Sequence, residues 1–252
     1  QWLLGSGLDI ASMNAVRQGL SAIKAGRLCR HLGGRPTRVL LISDVQGDDP
    51  AVIGSGLLVP GDPGRWRSLD LSPWLAGLLQ RSVNELPSGA ENVELEIIAT
   101  LDRALVAAAE HGRRLGYDVS VSDAFVQGDA CAAGERLAGE LVDGRSGLYV
   151  WGGETTVRLP PQPGRGGRCQ ALALCAARRL AGVHGTALLA AGTDGSDGPG
   201  EDAGALVDGQ TVVRGTDAGL DPDSCLAGAD AGRFLEGAGD LIQTGPTGTN
   251  VM

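Results

Sequence analysis

The sequence predicts an α/β protein built as two α/β domains with largely parallel or mixed sheets. Three observations carry that prediction. Apolar runs of strand length alternate with helical segments of 10 to 16 residues along most of the chain. The 42% apolar content is enough for a sizeable core, and with only 3% aromatic residues that core must be Leu, Val, Ala and Ile. The richest glycine loops follow strands, where ligands sit in parallel α/β sheets.

Taken in order, residues 8–30 ("LDIASMNAVRQGLSAIKAGRLCR") place Ile10, Met13, Val16, Leu20, Ile23 and Leu28 near helical spacing. "TRVLLIS" (37–43) is a strand followed by the turn-rich "DVQGDDPAVIGSGLLVPGDPG". Residues 72–86 read as a helix with Ser72 as cap and Pro73 at the first position. A strand at 92–100, a helix closed by Gly116, a strand at 117–123, a helix at 129–144 and a strand at 147–152 follow. "ETTVRL" is a strand, and a helix begins near Arg168. "GTALLAAGTDG" (185–195) is a strand running into a glycine loop. "EDAGALVDG" (201–209) and "DPDSCLAGADAGRFLEG" (221–237) read as short helices, and "TGTNVM" as a strand-like run.

Composition excludes several function classes. A net charge of −9 leaves no basic excess to neutralise a nucleic-acid backbone. Lys24 is the only lysine, and the arginine bias matches the abundance of Ala and Gly as coding bias. No run reaches transmembrane length and no signal peptide is visible. The five cysteines form no C-x-x-C pair and their number is odd, so free thiols in a reducing cytoplasm are expected. The ends, Gln1 and "TGTNVM", suggest a piece of a longer polypeptide. Homo-oligomerisation is left open.

P-loop, dinucleotide, zincin and nucleophile-elbow signatures are absent, and His31, His111 and His184 are scattered. Four loops remain. "SDVQGDDP" carries Ser43, Asp44, Gly47, Asp48 and Asp49. "GGETTV" carries Gly153 and Glu154, and "GRGGRCQ" carries Arg165, Gly166, Gly167, Arg168 and Gln170. "GTDGSDGPGEDAG" (192–204) carries Thr193, Asp194, Asp197, Glu201 and Asp202. A glycine lead into a helix N-terminus offers backbone N–H groups and a positive dipole end to an anion, and arginines add bidentate contacts. Carboxylates on neighbouring loops hold Mg²⁺ or accept a hydroxyl proton. Together these are the parts of phosphoryl transfer. The plainer reading is structural, with Asp-Gly pairs as turns and Asp as helix caps. A cation at a helix start opposes the dipole, which favours an anion partner for Arg168.

These ordered motifs resemble the class II glycerate 2-kinases, whose C-terminal part is the MOFRL domain. The resemblance covers nearly the whole chain: "SDVQGDDPAVIGSGLLVPGDP", "GGETTVRL", "GRGGRCQ", "GTDGSDGPGEDAG" and "GAGDLIQTGPTGTNV". It implies residues 1–88 as the end of a Rossmann-like N-terminal domain, only partly present, and 89–252 as the C-terminal domain, MOFRL-like from about 146. It implies ATP- and Mg²⁺-dependent phosphorylation of glycerate at the 2-hydroxyl. Arg168 would bind the substrate carboxylate or the transferring phosphoryl group. Asp194 would act as base or support the metal, with Asp44 or Asp48 contributed by the other domain. Ser43, Gly47, Asp49, Gly153, Glu154, Gly166, Gly167, Gln170, Thr193 and Asp197 would bind substrate or nucleotide. Cys169 stands where the family has Asn, Leu57 replaces a proline, and the family's upstream lysine segment has no match. A non-catalytic fragment is therefore an alternative, as is hydroxypyruvate reductase, the name some relatives carry.

Overall fold

In the computed structural model the chain divides into two units, Gln1–Thr100 and Leu101–Met252, of which residue 3 and residues 7–62, 64–82 and 90–251 are described. The first unit opens with α1 (Ile10–Leu20), capped by Asp9, whose carboxylate accepts the Ser12 N–H at 2.8 Å. The single helix expected over 8–30 ends at Leu20. Ser21 is extended, and Ala25 and Gly26 take positive φ values of 54° and 79° that reverse the chain before a 3₁₀ segment, Arg27–Leu32. The Arg27 side chain is fully buried and its guanidinium donates to the carbonyls of Gln18 and Ser21, tying the reversed segment to the end of α1.

β1 (Thr37–Ile42) follows, then α2 (Pro73–Arg81) and β2 (Val93–Ala99). Pro73 opens α2 as expected, but the Ser72 side chain makes no capping bond; its carbonyl accepts from Leu75 and Ala76 instead. Residues 83–86 of the expected helix lie outside the described residues. β1 and β2 pair in parallel, Thr37 opposite Val93 through Leu41 opposite Ile97. That pairing lies within the first unit. Val16, Trp66, Leu75 and Leu79 form the first unit's small core.

The second unit runs α3 (Leu101–Arg114), β3 (Val119–Val121), β4 (Val126–Asp129), α4 (Ala130–Asp143), β5 (Leu148–Val150), β6 (Gly153–Thr156) and α5 (Arg168–Leu180). β7 (Ala187–Ala191), β8 (Gly204–Asp208), α6 (Thr211–Asp217), α7 (Pro222–Ala227), α8 (Ala231–Ala238) and β9 (Leu241–Ile242) complete it. β3 pairs with β5 and β4 with β6, both in parallel. β7, β8 and β9 form an antiparallel sheet, so the architecture is mixed rather than uniformly parallel. Residues 204–208, expected as helix, are strand β8: Ala205 and Val207 are buried while Leu206 is exposed, a two-residue period that the Ala/Gly-rich composition obscured. No strand forms over 243–251.

α5 is the axis of this unit. Leu172, Ala173, Leu174, Ala176, Ala177 and Leu180 are buried against α4, β7, β8 and α8. The small residues let helices approach closely. A Cβ on Gly134 of α4 would fall 2.2 Å from the Leu172 carbonyl oxygen, so the α4–α5 contact is backbone to backbone. Cys131 of α4 and Cys175 of α5 are joined as a disulfide across it, with Cα atoms 5.2 Å apart. The expectation of free thiols throughout is thus corrected for this pair, and it no longer supports a reducing compartment. Cys29, Cys169 and Cys225 are free. Among the described residues no helix is long and apolar enough to cross a membrane.

Candidate functional site

The N-terminus of α5 is where the expected site residues of the second unit converge. Gly167 is its N-cap residue and has no side chain with which to cap. The carboxylate of Asp197 does so from another loop, accepting the Cys169 N–H at 3.0 Å and the Gln170 N–H at 2.8 Å. The Gln170 side-chain amide returns a bond to the Asp197 carbonyl at 3.0 Å. Asp197 and Gln170 are 4% and 1% exposed. Two of the backbone donors at this helix end, those of Cys169 and Gln170, are thus taken by a protein carboxylate, and Asp197 and Gln170 join the two loops.

Those loops touch through glycine. A Cβ on Gly198 would fall 2.2 Å from the Gly166 carbonyl oxygen, and one on Gly167 would fall 2.3 Å from the Asp197 carboxylate. Gly195 has φ 85°, and a Cβ there would lie 2.1 Å from the Gly245 carbonyl oxygen. The C-terminal segment binds the same loop. The Thr193 hydroxyl accepts the Val251 N–H at 2.9 Å, the Thr193 carbonyl accepts the Thr247 hydroxyl at 2.6 Å, and the Asp194 carbonyl accepts the Thr247 N–H at 3.1 Å.

The two arginines of "GRGGRCQ" part company. Arg165 is committed, with 2.8 Å bonds to Asp202 and to Glu236, while its N–H donates to Asp230 at 2.7 Å. Gln243 donates to the second oxygen of Asp202 at 2.9 Å. Burial pushes the Asp202 carboxyl up, but the bonds from Gln243 and Arg165 outweigh it and hold it below the usual aspartate range. Asp202 was expected in a helical first turn. It is instead a fully buried brace immediately before β8.

Arg168, the first residue of α5, points away from that network. Its guanidinium meets Glu154 of β6, with about half of each side chain exposed at 50% and 49%. The Glu154 bond raises the Arg168 pKa further. An exposed pair of this kind is worth about 0–1 kcal/mol, so an incoming anion can share or replace Glu154 at small cost. Gly153 brings β6 close to β4, since a Cβ there would fall 2.0 Å from the Val126 carbonyl oxygen.

Asp194 is exposed, and one carboxylate oxygen accepts the Ser196 N–H at 2.9 Å, closing a turn. Its other oxygen has no bond among those of the described residues. The charges of Asp197, Arg168 and Asp194 all act on the Cys169 thiol. Burial, and next the Asp197 charge, push that thiol up to about 12. A cavity of about 560 Å³ opens beside Arg168. Its lining draws on three of the quoted loops, Gly166, Gly167, Arg168 and Gly198 included, and sequence reasoning missed it because Ala171, Leu226, Ala229 and Ala231, which complete it, carry no motif.

In the first unit, Ser43 is fully buried at the end of β1 and its N–H donates to the Ala99 carbonyl at 2.9 Å. Asp44 is exposed. Gly47 and Asp48 both take positive φ, 84° and 53°, and aspartate is among the few residues that tolerate this. The Asp49 carboxylate accepts the Ala51 N–H at 2.9 Å, a turn role. Among the described residues no group of three or more His, Cys, Asp or Glu could hold a metal ion.

Fold and site together describe a two-unit α/β protein whose second unit presents an arginine and a carboxylate on glycine loops. The MOFRL family matches residues 147–252, and a domain of unknown function, DUF4147, matches residues 1–70. The D-glycerate 2-kinase of Thermotoga maritima is 34% identical, over 99% of this chain and 63% of its own length. The glycerate kinase of Macaca fascicularis is 32% identical, over 99% of this chain and 79% of its own. A protein of Agrobacterium vitis with the provisional name hydroxypyruvate reductase is 37% identical, over 100% and 61%. The crystal structure of the Thermotoga maritima glycerate kinase superposes with a TM-score of 0.82 at 32% identity, over 99% of this chain and 63% of that one. The chain belongs to the glycerate 2-kinase family. It spans about three fifths of the length of the Agrobacterium vitis and Thermotoga maritima relatives, 61% and 63%.

Two outcomes test this geometry. Asp197→Ala strips the cap from α5 and should lower the unfolding free energy by about 2 kcal/mol in urea titration, whereas a loss below about 0.5 kcal/mol would deny the cap its role. Cys169 should stay a neutral thiol far above pH 7. Its peptide-mapped alkylation by iodoacetamide should keep accelerating beyond about pH 10, and a plateau near the ordinary thiol value of about 8.5 would contradict the site's electrostatics.

Proposed function

We propose that the protein is an ATP-dependent kinase that phosphorylates D-glycerate at its 2-hydroxyl to give 2-phosphoglycerate. The observation that carries this reading is the junction at α5, where Asp197 joins the start of the helix that carries Arg168 to the glycine loop that carries Asp194, in a chain of the glycerate 2-kinase family. Glycerate offers a carboxylate and an adjacent hydroxyl. Arg168 suits the carboxylate or the transferring phosphoryl group through its planar donor fork. Asp194 has an oxygen left for the hydroxyl proton or for a cation.

Mg²⁺ fits this donor set in a particular way. It commonly retains waters and binds through one or two carboxylates plus substrate phosphates, which does not require a cluster of three protein ligands. Asp194 would hold it. When bound, it neutralises the charge on the nucleotide phosphates. The protein's own part is to keep Arg168 protonated and oriented by Glu154, and to fix Asp194 through Ser196 and Thr247. We carry a cytoplasmic location with this reading, on the ground that ATP is its donor.

A reductase reading rests on the name of the Agrobacterium vitis relative. It predicts NADH oxidation with hydroxypyruvate, which the kinase reading predicts to be absent. For the full-length protein with ATP, Mg²⁺ and D-glycerate, Arg168→Ala and Asp194→Asn should each lower turnover by more than about tenfold, roughly 1.4 kcal/mol of barrier. Near-wild-type turnover in either variant would remove that residue from the site.

A further inference from the structure

Two ligands must meet at Arg168 in a kinase, and they differ sharply in chemistry. Every carbon of glycerate carries oxygen, so it needs polar partners throughout. The phosphoryl donor carries a large flat heteroaromatic base at one end and phosphates at the other. The cavity beside Arg168, about 560 Å³, lies wholly within the second unit. It falls within the roughly 300–1,000 Å³ common for small-molecule sites. Aliphatic residues dominate its walls: Val157 and Leu159 beyond β6, Ala171 on α5, Pro199 within the acidic loop and Leu226 on α7. Among the described residues no carboxylate lines it, and Arg168 is the one charged side chain there.

We propose that this cavity holds the nucleobase of the phosphoryl donor, with Arg168 on its wall facing the phosphate end; the proposal rests on the kinase reading above. Burying glycerate against these walls would strip its hydration with few donors in return, which is costly. A flat base has apolar faces that such walls cover favourably, at about 25 cal/mol per Å². Its polar edge has main chain to meet: Gly164, Gly166, Gly167 and Gly198 line the cavity without a Cβ to screen their backbone. Thr155 and Thr156 of β6 line it as well, the Thr156 hydroxyl donating to the Gly128 carbonyl at 3.1 Å. Asp197 occupies the Cys169 and Gln170 N–H groups, so the donor's phosphates would meet Arg168 beside that cap.

Two variants of the full-length protein test this. Ala171→Trp fills the cavity. Leu159→Glu, at a residue 65% exposed and so tolerant of charge, sets a carboxylate on its wall. Calorimetry with ATP, with adenosine and with D-glycerate should show each variant weakening ATP and adenosine binding by at least about tenfold, with the D-glycerate dissociation constant within about twofold of wild type. Unchanged ATP affinity in a variant with wild-type melting temperature overturns the proposal, as does loss of D-glycerate binding with ATP retained. The wild-type protein supplies a measurement independent of folding. Photolabelling with 8-azidoadenosine triphosphate should mark peptides spanning 155–171 or 226–231, and labelling confined elsewhere overturns the assignment. Adenosine has no phosphoryl group to give. Adenosine binding that both variants lose, in a protein making no phosphorylated glycerate, would retain the base site and sink the kinase reading. Normal turnover with the Michaelis constant for ATP unchanged in both variants would do the reverse.

Discussion

The second unit depends on one buried carboxylate. Asp197 stands at the N-terminus of α5, the helix whose buried face organises that unit's core, and satisfies two of the N–H groups that every helix start leaves without intrahelical partners. Gly167 cannot do this from within the helix. By reaching across from the loop after β7, Asp197 makes the start of α5 and the acidic loop a single object. Gln170 binds the Asp197 carbonyl in return, so each loop holds the other. Glycines at 167 and 198 are the necessary counterpart, because side chains there would occupy the space through which the loops touch, and Gly195 plays the same part toward the C-terminal segment at Gly245.

The same interaction resolves the odd placement of Arg168. A cation at a helix N-terminus is opposed by the dipole, but here a carboxylate already sits at that terminus. Arg168 is thereby free to project outward to Glu154, a half-exposed and weak partner. Its neighbour Arg165 shows the contrast, since Asp202 and Glu236 take up its guanidinium and make it part of the scaffold. Two arginines three residues apart therefore do different work, and the carboxylates facing them decide which. Of the acidic residues in 192–204, Asp197 and Asp202 are buried and bonded, and Asp194 keeps an oxygen facing solvent. Presentation of one arginine and one aspartate on a rigid double loop is what the chemistry of phosphoryl transfer asks of a protein.

Much of the fold was legible because long amphipathic segments and capping residues act locally. α3, α4 and α5 stand close to where periodicity and the Gly116 and Gly167 signals put them. Errors arose where tertiary contacts decide. The helical spacing over 8–30 carried no sign that Ala25 would turn left-handed, and β8 was hidden because Ala and Gly alternate in burial as readily in strands as in helices. The site's residues could be located from their motifs, but not their division of labour. That Asp197 caps a helix 27 residues away in sequence, or that Asp202 pairs with Arg165, follows from how the loops fold together rather than from either loop alone. The disulfide between Cys131 and Cys175 was similarly invisible, since only the α4–α5 contact brings them near.

The central claim is that this double loop directs a phosphoryl group to one hydroxyl of a small hydroxyacid. Phosphorus NMR of the full-length protein incubated with ATP, Mg²⁺ and D-glycerate tests it most directly. The account predicts a new phosphomonoester signal split by one proton, that on C2 of the product. A signal split by the two protons of C3, or inorganic phosphate with no phosphomonoester, would contradict it.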